Sequence, residues 1–201
     1  MRVDKVIVRA VLSTLTAIIV LFGSMILALC FIYPSTMMNI TYDLGMDKAS
    51  VKYATRVYNR TDEVYYIAFA TETAIGADLD EKIEECGLTF VKDDEFVNYC
   101  NDRDTQMNLG GSYAQYIYGQ ISLAQYRQNK KTQAIETAFN AISGNTFPNG
   151  NAVQGLALTA LMAGDSEVAH TIYEKMMNME SGLFSEKDRQ TFDALLSLLG
   201  K

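Results

Sequence analysis

Tryptophan is absent from this 201-residue chain, which holds two prolines, one histidine and three cysteines. Each scarcity excludes something. Proline locks φ and removes a backbone donor, so with only Pro34 and Pro148 present long helices can run unbroken. Strand signals are equally thin, since period-two alternation is confined to a few residues at "LTFV" (88–91). His170 and the cysteines at 30, 86 and 100 lack the close Cys/His spacing of a zinc site. The carboxylates of "ADLDEKIEE" and "KDDEF" lack the EF-hand spacing, and no phosphate loop or dinucleotide glycine pattern occurs. No Ser–His or Cys–His pair stands out locally, so no metal, no cofactor and no enzymatic activity are expected. Cys86 and Cys100 are free to pair in an oxidising compartment, yet two buried thiols suit the spacing as well.

The longest absence is of charge. From Ala10 to Tyr33 there is no ionisable Asp, Glu, Lys or Arg side chain: "AVLSTLTAIIVLFGSMILALCFIY". At about 1.5 Å per residue such a helix is roughly 36 Å long, against about 30 Å of bilayer hydrocarbon. Arg2, Lys5 and Arg9 precede it, and basic flanks stay on the cytoplasmic side. The expected layout is a cytoplasmic basic tail (1–9), a transmembrane helix (10–33), a juxtamembrane connector (34–45) and an extracytoplasmic domain (46–201) of a single-pass cell-membrane protein. A removable signal peptide is the rival, with Ala28 and Cys30 as small residues around a cut. The apolar run is long for that role, and no polar region precedes the cut. Ala10, Thr14, Ala17, Ser24 and Ala28 fall near one stripe of this helix, which fits a dimer, a membrane partner or ordinary composition.

Beyond the anchor the chain is acidic, with 23 acids against 14 bases, and the segment 62–104 alone carries 13 acids and three bases. Such a surface disfavours nucleic acid and anionic headgroups and favours a basic protein or peptide. Asp93, Asp94 and Glu95 are the candidate contacts on this acidic run, and Tyr116 and Tyr118 the aromatic ones. The latter two point in different directions on one helix, so at least one reaches an open face.

Helical spacing dominates after Pro34, and predicts helices near 44–60, 62–76, 79–86, 93–103, 111–128, 131–143, 150–163, 166–179 and 185–199. Thr61 and Asp62 read as helix-opening residues, Gly164 with Asp165 as a stop and restart, and Ser185 with Asp188 as a capping box. "SGNTFPNGN" (143–151) reads as a loop. Phe192, Leu195, Leu196 and Leu199 make one stripe on the last helix, suited to covering the open end of a core.

A shift of 34 residues aligns two apolar faces: Ala134 with Val168, Ile135 with Ala169, Ala138 with Ile172, Phe139 with Tyr173, Ile142 with Met176. The same shift sets Leu123 against Ala157 and Tyr126 against Ala160. A helix–turn–helix period of about 34 residues is that of the tetratricopeptide repeat. "LALTALMAGDSEVAHTIYEKM" resembles one such unit: Leu156 and Ala157 at the leucine–small pair, Gly164 at the turn, Ala169 at the helix crossing, Tyr173 at the aromatic position. The upstream copy departs from it, with Lys130 in place of the turn glycine and Ile135 in place of the small residue. "ASVKYATRVYNRTDEVYYIAFATETAI" has the same rhythm further upstream. The resemblance implies an all-α fold, an N-terminal transmembrane helix followed by an α-solenoid of stacked hairpins, and a scaffold, adaptor or assembly role through protein–protein interaction. The alternative is a small accessory subunit of a larger membrane complex, held mainly through its transmembrane helix.

Overall fold

The computed structural model describes residues 2–107, 113–142, 150–179 and 186–199. Eleven helices and no strand occur among them: α1 (Arg2–Ile32), α2 (Pro34–Asp43), α3 (Asp47–Thr61), α4 (Val64–Gly76), α5 (Asp80–Phe90), α6 (Phe96–Met107), α7 (Tyr113–Arg127), α8 (Lys131–Asn140), α9 (Asn151–Met162), α10 (Ser166–Met177) and α11 (Glu186–Leu199). The protein is all-α. Within α1 the 27 residues Val6–Ile32 are long and apolar enough to cross a membrane, and none of the apolar stretch is buried against the rest of the chain. Leu88 to Phe90, the strand-like exception, complete α5 with Phe90 fully buried.

Residues 34–43, expected to connect anchor and domain, instead form α2. Pro34 sits in the first turn, where a missing N–H costs nothing and the fixed φ suits a helix. Met38 and Thr41 are buried against α3, and the Ser50 hydroxyl donates to the Met38 carbonyl at 3.2 Å. Asp62 likewise takes a different place from the one expected. It closes α3 in a left-handed conformation, φ 56°, with its N–H on the Tyr58 carbonyl, and Thr61 Oγ1 accepts from the Glu63 N–H at 3.4 Å.

One turn recurs four times. Gly45 (φ 67°), Asp78 (51°), Asn129 (62°) and Gly164 (73°) each reverse the chain between α2 and α3, α4 and α5, α7 and α8, and α9 and α10. In each, the next residue donates its N–H five residues back: Met46 to Thr41, Leu79 to Ala74, Lys130 to Gln125, Asp165 to Ala160. The left-handed residue donates three back in every case, from Gly45 to Tyr42 through Gly164 to Leu161. This is a Schellman ending followed at once by a new helix, so last-turn carbonyls are satisfied where the hairpin bends. The left-handed residues lie 33, 51 and 35 apart. The long interval holds α6.

Packing follows the hairpins. α3 lies on α2 and α4, α5 on α4 and α7, α9 on α7, α8 and α10, while α6 leans on α4 and α7. α11 packs against α9 and α10, although the side chains of Phe192, Leu195, Leu196 and Leu199 lie outside the described residues, as do Ser185 and the loop 143–149. Two cores result. The first joins α2 to α7 around Ile67, Ile83, Phe90, Phe96, Cys86, Cys100, Ile117 and Ile121. The second is built by the positions that the 34-residue shift aligned: Ala134, Ile135, Ala138, Phe139 and Ile142 against Val168, Ile172 and Met176, with Leu156, Ala157 and Ala160 beneath and Leu123 and Tyr126 at the edge. Gly87 joins the two halves, since a Cβ there would lie 2.5 Å from Ile121 Cγ1. The close approach of α5 and α7 needs that missing atom.

Candidate partner-binding surfaces

The first helices of the four hairpins, α2, α4, α7 and α9, share a face on which side chains touch in sequence. Tyr42 of α2 meets Phe69 of α4 edge-on, ring centroids 5.2 Å apart. One turn on from Phe69, Glu72 accepts from the Tyr113 hydroxyl of α7, and Tyr113 lies 6.4 Å from the Tyr116 ring. Tyr116, 47 % exposed, then lines a cleft of ≈ 270 Å³ with Gly119, Gln120 and Leu123 of α7 and Asn151 and Gly155 of α9. Leu158 and Met162 are exposed one and two turns further along α9. A second cleft, ≈ 260 Å³, opens beside Tyr42, Asp47, Phe69, Glu72 and Gly76. The face is therefore aromatic, with carboxylates and with glycines that leave room between helices.

Glu72 is the electrostatic centre of this face. Arg103 of α6 places one guanidinium nitrogen on both its carboxylate oxygens, at 2.9 and 3.1 Å, and stacks over Tyr99 and Tyr113 at 6.0 and 5.8 Å. The bond to Glu72 raises the Arg103 pKa beyond its usual range. Burial, reinforced by the Glu72 charge, pushes Tyr99 up to about 12. Burial first, and the bond to Glu72 second, raise Tyr113 also. The carboxylate, the guanidinium and the two phenol rings thus make a polar cluster that ties α4, α6 and α7 together. Sequence reasoning missed it because Glu72, Arg103 and Tyr113 come from three helices.

The candidate residues fall in different places. Tyr116 lines the α7–α9 cleft. Tyr118 is half-buried against the first core, edge-on to Phe96 at 5.9 Å, and burial raises its pKa. Asp93 is occupied: one oxygen accepts from the Tyr58 hydroxyl of α3 at 2.8 Å, the other from the Glu95 N–H at 2.9 Å. Burial, with that bond second, pushes Tyr58 up to about 12. Asp94 and Glu95 are exposed. Much of the acidic run is likewise spoken for across hairpins, with Asp80 on Arg127, Glu84 on Lys130 and Glu72 on Arg103. Cys86 and Cys100 are buried free thiols whose pKa values burial raises, which disfavours reactivity.

A second surface meets the end of α1. Arg56 and Arg60 of α3 donate to the Cys30 and Phe31 carbonyls, each at 3.0 Å, and Tyr53 donates to the Cys30 sulfur at 3.0 Å. Two cations thus satisfy carbonyls that a helix C-terminus leaves unpaired and sit at its negative end. Arg56 also lies over the Phe31 ring at 5.4 Å. The helices that follow are held to α1 by side chains as well as by the peptide link. No family model matches the chain, and no curated protein or solved structure matches it.

Proposed function

We propose that the chain is a single-pass, membrane-anchored array of tetratricopeptide-like hairpins that holds a protein or peptide partner outside the cytoplasm, as an adaptor or assembly factor. The observation that carries this reading is the row of side chains from Tyr42 and Phe69 through Glu72 and Tyr113 to the exposed Tyr116, which lines the cleft between α7 and α9. Aromatic side chains with polar tips, beside clefts and at low entropic cost, suit peptide contact. The lining carboxylate Asp47 favours a basic segment over an acidic one. Basic residues ahead of the oily helix supply the orientation.

A photo-reactive amino acid at Tyr116, with Glu136 on α8 as the exposed control site, tests this in the native membrane. The expected outcome is one discrete adduct from position 116 and none from 136. Equal labelling from both positions would count against a partner on this face. A complex that survives replacement of the domain, but not of α1, would make the chain an accessory subunit held through its membrane helix.

A further inference from the structure

The domain's bases are unevenly placed. Lys48, Lys52, Arg56 and Arg60 recur every four residues on α3, which puts them on one helical face. Together with Lys82 of α5 they line a groove of ≈ 490 Å³, whose remaining walls are Val51, Thr55, Asn59 and Glu85. Five of the 14 bases that follow the apolar helix thus share one groove with one carboxylate, against 23 acids over the same residues. That carboxylate, Glu85, is held by Lys82. Elsewhere four bases are consumed: Arg103, Arg127, Lys130 and Lys131 each pair with a carboxylate. Lys48 and Lys52 are exposed, and among the described residues no carboxylate pairs with either. Lys48 and Lys52, with the two arginine charges beside them, thus make a local positive potential on an acidic domain, which attracts an anion.

The groove's position says which anion. Arg56 and Arg60 reach the carbonyls of Cys30 and Phe31, the last turn of the apolar helix. At about 1.5 Å per residue Val6–Ile32 spans roughly 40 Å, which covers the hydrocarbon and brings that last turn to the headgroup layer. Phe31 and Tyr33 are exposed there, as interfacial aromatics are. We infer that the α3–α5 groove binds the phosphate of an anionic phospholipid in the leaflet facing the domain, so that the domain rests on the membrane surface in a fixed pose. The arginines divide their donors between the helix end and the headgroup, while the lysines supply the open charge. This rests on the reading that α1 crosses the bilayer, and it reverses the expectation from overall charge that the domain avoids anionic headgroups.

The test uses the full chain in nanodiscs of phosphatidylcholine alone and of phosphatidylcholine with phosphatidylglycerol, read by amide hydrogen exchange over 47–61. The expected result is slower exchange in α3 with the anionic lipid. The triple variant Lys48→Gln/Lys52→Gln/Lys82→Gln, which leaves the two arginines on α1, should lose that slowing, and high salt should diminish it in the parent. Equal exchange in both lipids, with the chain inserted in both, overturns the headgroup site and leaves the anchor intact. Failure to insert in either lipid overturns the anchor reading and this one with it. Slowing by inorganic phosphate or polyglutamate in phosphatidylcholine discs, but not by phosphatidylglycerol, also overturns it, because the anion is then not a lipid.

Discussion

The hairpins α7/α8 and α9/α10 share one backbone turn with α2/α3 and α4/α5, and little else. The carboxyl-side pair is filled by Ala, Val, Leu, Ile and Met with a single buried phenylalanine, Phe139. The amino-side pair is filled by stacked aromatics, two thiols and an additional helix, α6. Small residues let α9 settle on both α7 and α8. On the amino side α6 occupies space beside α5, and Phe90, Phe96, Tyr99 and Tyr118 fill it edge-on, with centroid distances of 4.9 to 5.9 Å. The difference teaches that the hairpin is set by the turn, and that its neighbours decide which side chains fill it.

The comparison breaks if the two cores are independent. Phe90→Ala removes the centre of the aromatic cluster and should cost about 3–5 kcal/mol, and Leu156→Ala, at the centre of the other core, about 2–5 kcal/mol. Both residues are fully buried. With the halves joined through α5 and α7, each variant should shift one common unfolding transition of the full chain in detergent, followed by circular dichroism. Two separated transitions, only one of them moved, would show that the halves fold apart.

Gly87 sharpens the same point at the seam. Its substituted Cβ would meet Ile121 Cγ1 at 2.5 Å and Cδ1 at 2.8 Å, in a fully buried setting. Gly87→Ala should cost about 1–3 kcal/mol by overpacking, despite alanine's better helix propensity. In a double-mutant cycle with Ile121→Ala, which vacates the space, part of that loss should return, with a coupling above about 0.5 kcal/mol. Additive losses would place the strain elsewhere.

The turns themselves predict a smaller, opposite-signed pair. Gly164→Ala forces an alanine to φ 73° and should destabilise by about 1–2 kcal/mol. Asn129→Gly and Asp78→Gly relieve left-handed strain but loosen the unfolded chain, so the net gain should stay within about 0.5 kcal/mol. A loss of stability in either glycine variant would mean that the side chain, not the backbone, holds that turn.

The helical class and the carboxyl-side core were legible because both are local. Gly164, Asp165 and the aligned apolar faces lie close together in sequence, and the structure gathers most of the aligned positions in one cluster, with Leu123, Tyr126 and Tyr173 partly buried against it. The amino-side hairpins were hidden for two reasons. Asp78 and Asn129 do at φ 51° and 62° what glycine usually does, so no glycine marks those turns. The insertion of α6 stretches one interval to 51 residues, and Asp62, read as a helix-opening residue, closes α3 instead at the bend before α4. Of the candidate contacts, Asp93 turned out to be engaged with Tyr58, something no local pattern reveals. The α3 groove was readable in principle, from bases four apart, but a summed charge conceals an arrangement.

Asp165 gives the smallest effect, and one that the turn between α7 and α8 lacks. There Asn129, not Lys130 as the 34-residue shift had it, takes the place of Gly164, and Lys130 follows it where Asp165 follows Gly164. The Asp165 carboxylate lies 2.7 Å from Lys131, accepts from Tyr126 at 3.1 Å and caps α10 through the Val168 N–H at 3.4 Å. Lys131 foremost, then the Val168 and Tyr126 bonds, hold its pKa below the ordinary aspartate value, against burial. A depressed folded-state value means that the stabilisation is fully present above the unfolded-state pKa, about 3.9, and is lost as pH falls through the lower folded value. Melting temperature should therefore fall more steeply below about pH 4 in the parent than in Asp165→Asn, which keeps a capping oxygen and loses the charge. Asp165→Ala, which loses both, should cost about 1 kcal/mol already at neutral pH. Because Lys131 is 42 % exposed, added salt should shrink the acid-dependent part and spare the cap. Identical acid slopes for parent and Asp165→Asn would remove the ion pair from the account and leave the turn to its backbone.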